Sequence, residues 1–330
     1  MPIPNDRHSH DDYQNESYGV NLSAKNKKHH HHEHGHSHHA PQSFTYAFAI
    51  AILLNFSFTM FQAGYALLSN SMSLLADAAH NFGDVFGLVL AAGANYLLTL
   101  PARKRYSYGY KRTTIIAALT NALILIASSS IIAFESIYKL FHLSAVNEYI
   151  VIVVAAIGIF INGGTALLFM KGADSDLNIK GAFLHLMGDA FISIGVVVGA
   201  VIILYTKQQW IDPIVGLMIV VVILWGTWGL LRDSVRLILD AVPRHIDQTA
   251  IKNYLEKIPG VTAVHDLHIW GLSTKEIALT VHLVMPDTNL SDADFDNINK
   301  FLKTNFRIDH PTIQVESGSM EFPCVRGEVC

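Results

Sequence analysis

The sequence sets His80 and Asp84 in "HNFGD" and His185 and Asp189 in "HLMGD", each pair inside a long apolar run. Spacing of four places both side chains of a pair on one face of a helix. An ionised carboxylate within a bilayer costs at least ~2.5–3.5 kcal/mol on insertion scales. No Lys or Arg lies in the middle of any apolar run to offset that cost. A divalent cation is the remaining strong partner. Two imidazoles and two carboxylates, one pair from each of two helices, can close a tetrahedral shell that suits Zn²⁺ and tolerates Co²⁺, Ni²⁺ and Fe²⁺. Without a thiolate or thioether at the site, Cu⁺ is disfavoured. Hydrogen bonding alone would account for one such residue, but two HxxxD pairs on separate runs argue for metal. Asp77, one turn before His80, reads as a cap or hydrogen-bonding residue near the mouth of that site. Glu135, near a helix end, and Asp212, near a helix start, read as structural, and Asn162 as a polar link between helices.

Those pairs need elements that cross a bilayer. The chain has 330 residues, 51% hydrophobic and only 15% charged. Its apolar blocks are each about the ~20 residues that a helix needs to cross the hydrocarbon core. Six are read: Phe44–Leu67, Met72–Leu98, Thr114–Leu140, Tyr149–Met170, Gly181–Leu204 and Ile211–Leu231. The first is too long for a signal peptide and lacks a small-residue cleavage pattern. Arg103, Lys104, Arg105, Lys111 and Arg112 crowd the loop after the second block, Lys171 and Lys180 follow the fourth, and Arg232, Arg236 and Arg244 follow the last. The alternate loops carry little beyond Lys139 and Lys207. The positive-inside bias therefore puts both termini in the cytoplasm. A net charge of −4 with no basic face argues against nucleic acid. Two cysteines, Cys324 and Cys330, make no disulfide framework and fit a reducing compartment.

Three segments follow from this. Residues 1–42 are low-complexity, contain "HHHHEHGHSHH", and read as a disordered, cytosolic, metal-gathering tail. Residues 43–235 form the six-helix membrane domain. Residues 243–330, beyond a hinge at Pro243, are soluble in character. Their patterns run α-β-β-α-β, which makes a small sheet with helices on one face, a ferredoxin-like α+β arrangement. This segment holds His265, His268, His282, His310, Glu316 and Cys324. His265 and His282 fall on expected strands and Glu316 ends another. Their spacing alone does not separate a metal site from scattered surface histidines.

The combination "SLLADAAHNFGD", "YGYKR", "LNIKGAFLHLMGD", "HDLHIW" and "TIQVE" resembles the cation diffusion facilitator family, in its zinc-transporter-like (cobalt-zinc-cadmium efflux) branch. The resemblance spans roughly residues 44–325. It implies six transmembrane helices followed by a cytosolic ferredoxin-like domain, working as a homodimer. It implies a transport site at His80, Asp84, His185 and Asp189, and zinc binding in the cytosolic domain at His265, His282, His310, Glu316 and Cys324. Histidine at position 80 is usually read in this family as favouring zinc over cadmium. The chain departs from the pattern at Gln62 and Thr113, where the family often has Glu, and its first cytosolic loop carries no histidine.

The expectation is a proton-coupled exporter of divalent cations, zinc first among them, sitting in a lipid bilayer as a homodimer; the resemblance implies the inner membrane of a bacterium.

 Imidazole must be neutral to bind metal, so metal and protons compete, and alternating exposure of one site gives antiport without a separate proton path. Two carboxylates neutralise a divalent ion in the low-dielectric interior. An intramembrane zinc hydrolase would need three protein ligands, an open position and a general base, and none of the six apolar runs holds an HExxH; the match at His32, Glu33 and His36 lies in the histidine tract. A membrane-bound metal sensor or storage protein would use the tail and the soluble domain but leaves the buried quartet unexplained. An enzyme is therefore not expected.

Overall fold

The structure is a computed structural model that describes residues 42–170, 177–287 and 290–318. Six long helices come first: α1 (Gln42–Ser69), α2 (Met72–Leu98), α3 (Thr113–Phe141), α4 (Glu148–Met170), α5 (Leu177–Thr206) and α6 (Ile211–Ile238). All six are long and apolar enough to cross a membrane. The last runs beyond Leu231 and beyond residue 235, so the membrane-domain boundary expected at 235 falls inside a continuous helix. Nothing in "RDSVRLI" breaks it: it holds no Pro or Gly, and Val235 and Leu239 continue the apolar spacing. Of the tail expected at 1–42, residues 1–41 with the histidine tract lie outside the described residues, as do Lys171 and Cys324, while Gln42 opens α1.

Lipid is as apolar as leucine, so burying apolar surface does not by itself drive these helices together. Close packing of small residues and internal polar contacts must do so. The interior has that composition, with Ala66, Ala76, Ala155 and Ala200 buried beside Leu74, Val151, Val196 and Ile219. Large side chains such as Phe160, Tyr205 and Trp225 face outward. At Gly216 of α6 a Cβ would stand 3.1 Å from the Met72 carbonyl carbon and 3.2 Å from Ser136 Oγ, so a side chain here would push α2 or α3 back by a few tenths of an ångström. Asp212 then caps α2 from the neighbouring helix. Its carboxylate accepts from Ser71 Oγ (2.6 Å), Ser73 Oγ (2.6 Å), Met72 N (2.5 Å) and Ser73 N (3.3 Å). The two backbone N–H groups are donors that the first turn of a helix leaves unpaired, and a negative charge there complements the positive end of the helix dipole. The structural reading of Asp212 agrees with this contact.

The soluble segment follows in the expected order: α7 (Gln248–Leu255), β1 (Ala263–Gly271), β2 (Ile277–Val284), α8 (Asp292–Phe306) and β3 (His310–Glu316). Asp247 caps α7, and Ser291 with Asp294 makes a capping box at α8. The Ser291 hydroxyl and backbone N–H hold the Asp294 carboxyl below its ordinary range. The sheet order is β1-β2-β3, antiparallel between β1 and β2 and parallel between β2 and β3, with α8 as the crossover. Alternation along the strands sends Val264, Ile269, Leu279, Val281 and Leu283 to one face, where Ile251, Leu255, Ile298 and Leu302 of the two helices cover them. The other face keeps the polar residues, among them His265, His282 and Gln314 in one row of the register.

Candidate metal centre

On α2 and α5 the two HxxxD pairs face each other. His80 Nε2 lies 3.6 Å from Asp84 Oδ2 and 3.3 Å from Asp189 Oδ1. His185 Nε2 lies 3.2 Å from Asp84 Oδ2 and 3.7 Å from Asp189 Oδ2. Ligands at about 2.0–2.1 Å from a tetrahedral Zn²⁺ stand about 3.3 Å from one another, so these nitrogens and oxygens are already near the edges of such a shell. His80, Asp84 and Asp189 offer ligand atoms within 4.8 Å of one another. His185 meets both carboxylates but stands outside that group of three. Its ring is 6.1 Å from that of His80, and its side chain is 48% exposed against 6% for Asp189.

A cavity of about 320 Å³ reaches this cluster. Ile52 and Asn55 of α1, Leu88 of α2, Thr165 of α4 and Gly181, Ala182 and His185 of α5 line it with Asp84 and Asp189. Chain direction orders these residues: they lie toward the start of α1, the end of α2, the end of α4 and the start of α5. That is the end of the bundle from which α6 leads into the soluble segment.

The opposite end is tied shut. Besides the Asp212 cap, Lys139 Nζ donates to the Asn70 carbonyl (2.9 Å), and Asn70 Nδ2 donates to Ser144 Oγ (2.7 Å). Gln209 accepts from Val146 N (3.0 Å), and Lys207 pairs with Glu148 (2.8 Å). These contacts join the α1–α2 turn to the α3–α4 loop, and that loop to the α5–α6 turn.

Asp77 does not sit at the mouth, as expected from its place in the sequence. The direction of α2 carries it one turn past His80, away from the cavity, where it is fully buried. Its Oδ2 accepts from Gln62 Nε2 (2.7 Å) and Ser193 Oγ (2.9 Å). Gln62 Oε1 in turn accepts from Asn81 Nδ2 (3.3 Å). Gln62, which departs from the family pattern, supplies a donor to Asp77 where a glutamate would add a second negative charge. Asn162 is also buried, but neither its amide nitrogen nor its carbonyl oxygen has a partner among the described residues, so the expected polar link is not made.

A second cluster lies on the open face of the sheet. His265 and His282 are paired across β1 and β2, with rings 5.1 Å apart. Glu316 Oε2 lies 3.0 Å from His265 Nε2, and Glu316 Oε1 lies 2.9 Å from His282 Nδ1. The three offer atoms within 4.8 Å of one another and could hold a metal. His310 does not join them in the protomer. It opens β3 opposite Ala278, six positions before Glu316, and strand rise of about 3.3 Å per residue carries it far along the sheet. There it lies 3.3 Å from Glu276 Oε2 and 2.9 Å from Lys111 Nζ, and Lys111 itself pairs with Glu276. Partial burial acts to raise the Glu276 carboxyl, but Lys111 and then His310 outweigh it and hold it below its ordinary range.

Sequence reasoning missed Asp266. A β-bulge between His265 and His268 leaves Asp266 at a φ of 52°, and its Oδ2 reaches to 3.5 Å from His282 Nε2. The hydrogen bond from His268 chiefly, and the charges of the nearby histidines, hold this carboxyl low. The signal was an acid between two histidines in "HDLH", where strict alternation would have sent it to the other face.

This arrangement, a six-helix membrane bundle with a buried histidine–carboxylate cluster and a small α+β domain behind it, defines a multi-pass membrane protein of the cation efflux type. Residues 48–239 match the cation efflux transmembrane domain, and residues 243–318 match the cytoplasmic domain of cation efflux proteins. The chain belongs to the cation efflux family. It is 34% identical over 256 residues to the cation efflux system protein CzcD of Alcaligenes sp., covering 77% of this chain and 81% of that protein. It is 31% identical over 265 residues to the cadmium, cobalt and zinc/H(+)-K(+) antiporter of Bacillus subtilis, covering 79% and 85%. It is 31% identical over 261 residues to the zinc transporter ZitB of Escherichia coli, covering 78% and 83%.

Proposed function

We propose that the protein exports divalent metal cations, zinc first among them, from the cytoplasm in exchange for protons. The observation that carries this reading is the mutual approach of His80, Asp84, His185 and Asp189 at 3.2–3.7 Å inside a membrane bundle. Two carboxylates balance the charge of the cargo, and two imidazoles supply nitrogen ligands that protons can displace. The names of the relatives in Alcaligenes sp., Bacillus subtilis and Escherichia coli agree with efflux, antiport and zinc as cargo. These relatives are from bacteria, which supports placing the protein in a bacterial membrane.

The match of residues 243–318 to a cytoplasmic domain, with the basic loop at 103–112 on the same end of the bundle, supports placing both termini in the cytoplasm. The cavity then faces the cytoplasm, and the tied end faces outward, so the structure corresponds to a loading state. Release requires the contacts of Asp212, Asn70 and Lys207 to loosen while the cavity closes over His185. His265, His282 and Glu316 form a regulatory zinc site, and two copies associate through the cytoplasmic domain.

Flux through sealed proteoliposomes is the test. Zn²⁺ uptake should require the protein and accelerate when the receiving side is acidic, and collapsing the pH gradient should slow it. Uptake no faster than in empty liposomes would end this reading.

A further inference from the structure

Three contacts between α2 and α5 form a ladder: His185 with Asp84, His80 with Asp189, and Ser193 with Asp77. Steps of three or four residues on each helix separate the rungs by about 4.5–6 Å. The first two rungs are the quartet. The third lies on the side away from the cavity and has no nitrogen ligand.

Asp77 is fully buried, and its Oδ1 has no hydrogen-bond partner. No Lys or Arg of the bundle interior compensates it; the described bonds to its carboxylate come from the neutral Gln62 and Ser193. A buried acceptor without a protein donor is costly to keep. A second buried polar side chain without a partner among the described residues, Asn162, lies on α4. Gly158, Asn162 and Thr165 share one helix face. A Cβ at Gly158 would stand 3.2 Å from Ser193 Oγ, and Thr165 lines the cavity. Asn162 lies between those levels, about that of Asp189 and one turn nearer the cavity than Ser193, 1% exposed, with both amide atoms unpartnered among the described residues.

We propose that Asp77 and Ser193 form an exit station for the divalent cation, one helical turn beyond the quartet toward the outward end, with Asn162 on the way to it. It rests on the transport reading and extends it. An all-oxygen set binds zinc-like ions less tightly than a set with imidazole. An ion passed from the quartet to this station is therefore held weakly enough to leave. The carboxylate carries the charge that attracts the ion out of the quartet, the Asn162 oxygen offers a contact between the two, and the Ser193 hydroxyl replaces part of the ion's hydration. In the inward-open state the station is closed to the outside by the Asp212 contacts.

The test uses the full chain in proteoliposomes with Zn²⁺ alone, alongside Zn²⁺ binding in detergent. The quartet's share of binding is the part removed by Asp84→Ala. Asp77→Asn keeps the shape of the side chain and removes its charge. Its flux should fall roughly tenfold or more while quartet binding stays within about twofold of wild type. Asp77→Glu should restore flux, and Ser193→Ala should lower it about threefold. Retained quartet binding also shows that the bundle is folded. Wild-type flux in Asp77→Asn would overturn the station. Loss of quartet binding in that variant would overturn it too, because Asp77 would then be a support for the quartet. A wild-type protein that moves no zinc would instead overturn the transport reading, and the station with it.

Discussion

His80 of α2 and Asp189 of α5 meet with Nε2 and Oδ1 3.3 Å apart, although the chain passes through α3 and α4 between them. This contact joins the two HxxxD pairs into one site. It predicts that the pairs fail together. Asp84→Ala or Asp189→Ala should reduce zinc flux in proteoliposomes by about a hundredfold, since each leaves a divalent ion half neutralised in low dielectric. His80→Asp should still transport, with cadmium gaining on zinc, because it exchanges nitrogen for oxygen at one ligand and keeps the shell. A metal panel measured by flux checks both.

In the cytoplasmic domain the expectation is that His282→Ala or Glu316→Ala removes one bound zinc per protomer and abolishes zinc-induced thermal stabilisation. His310→Ala should leave both unchanged, since His310 belongs to the Lys111–Glu276 contact. Asp266→Ala should weaken zinc binding about tenfold, within the range for groups that orient a metal ligand. Titration calorimetry on the full chain carrying Asp84→Ala separates this site from the quartet.

The Lys111–Glu276 pair ties the loop before α3 to the turn between β1 and β2, near the bond from Thr274 N to Thr114 Oγ1 (3.1 Å). The Glu276 carboxyl is depressed in the folded protein from an ordinary value of 4.5. Its stabilising contribution is therefore fully present above that value and is lost as pH falls through the depressed one. Glu276→Gln should lower the melting temperature in detergent by about 1–2 °C at neutral pH, a small effect because the pair is partly exposed and screened. The difference from wild type should shrink below the ordinary glutamate value and vanish only below the depressed one. A difference that persists there would assign the effect to packing.

Asp212→Ala should be far more damaging. It strips acceptors from two serine hydroxyls and the first backbone N–H groups of α2, all buried. Each buried donor left unpaired costs about 1–3 kcal/mol. A melting temperature at least several degrees below wild type, or failure to recover folded protein, is expected, whereas Asp233→Ala at the exposed Arg244 pair should change little.

Removing residues 1–40 should raise the zinc concentration needed for half-maximal flux more than it lowers the maximal rate, if the histidine tract gathers metal near the cavity. Equal values with and without the tract would leave it no part in transport.

Periodicity and composition were enough for the six helices and the α-β-β-α-β order, because a bilayer demands long apolar helices and a small sheet demands alternation. The same spacing argument put each histidine beside its aspartate on one helix face. Local pattern cannot say where a helix leaves the membrane, so α6 ran past its expected end. Nor can it say which residues meet across elements. Sheet register decided that Glu316 joins His265 and His282 while His310 does not, and a bulge brought in Asp266. Helix direction moved Asp77 from the mouth of the site to its far side, against Gln62 and Ser193. Those outcomes depend on distances between segments remote in the chain, which only packing sets.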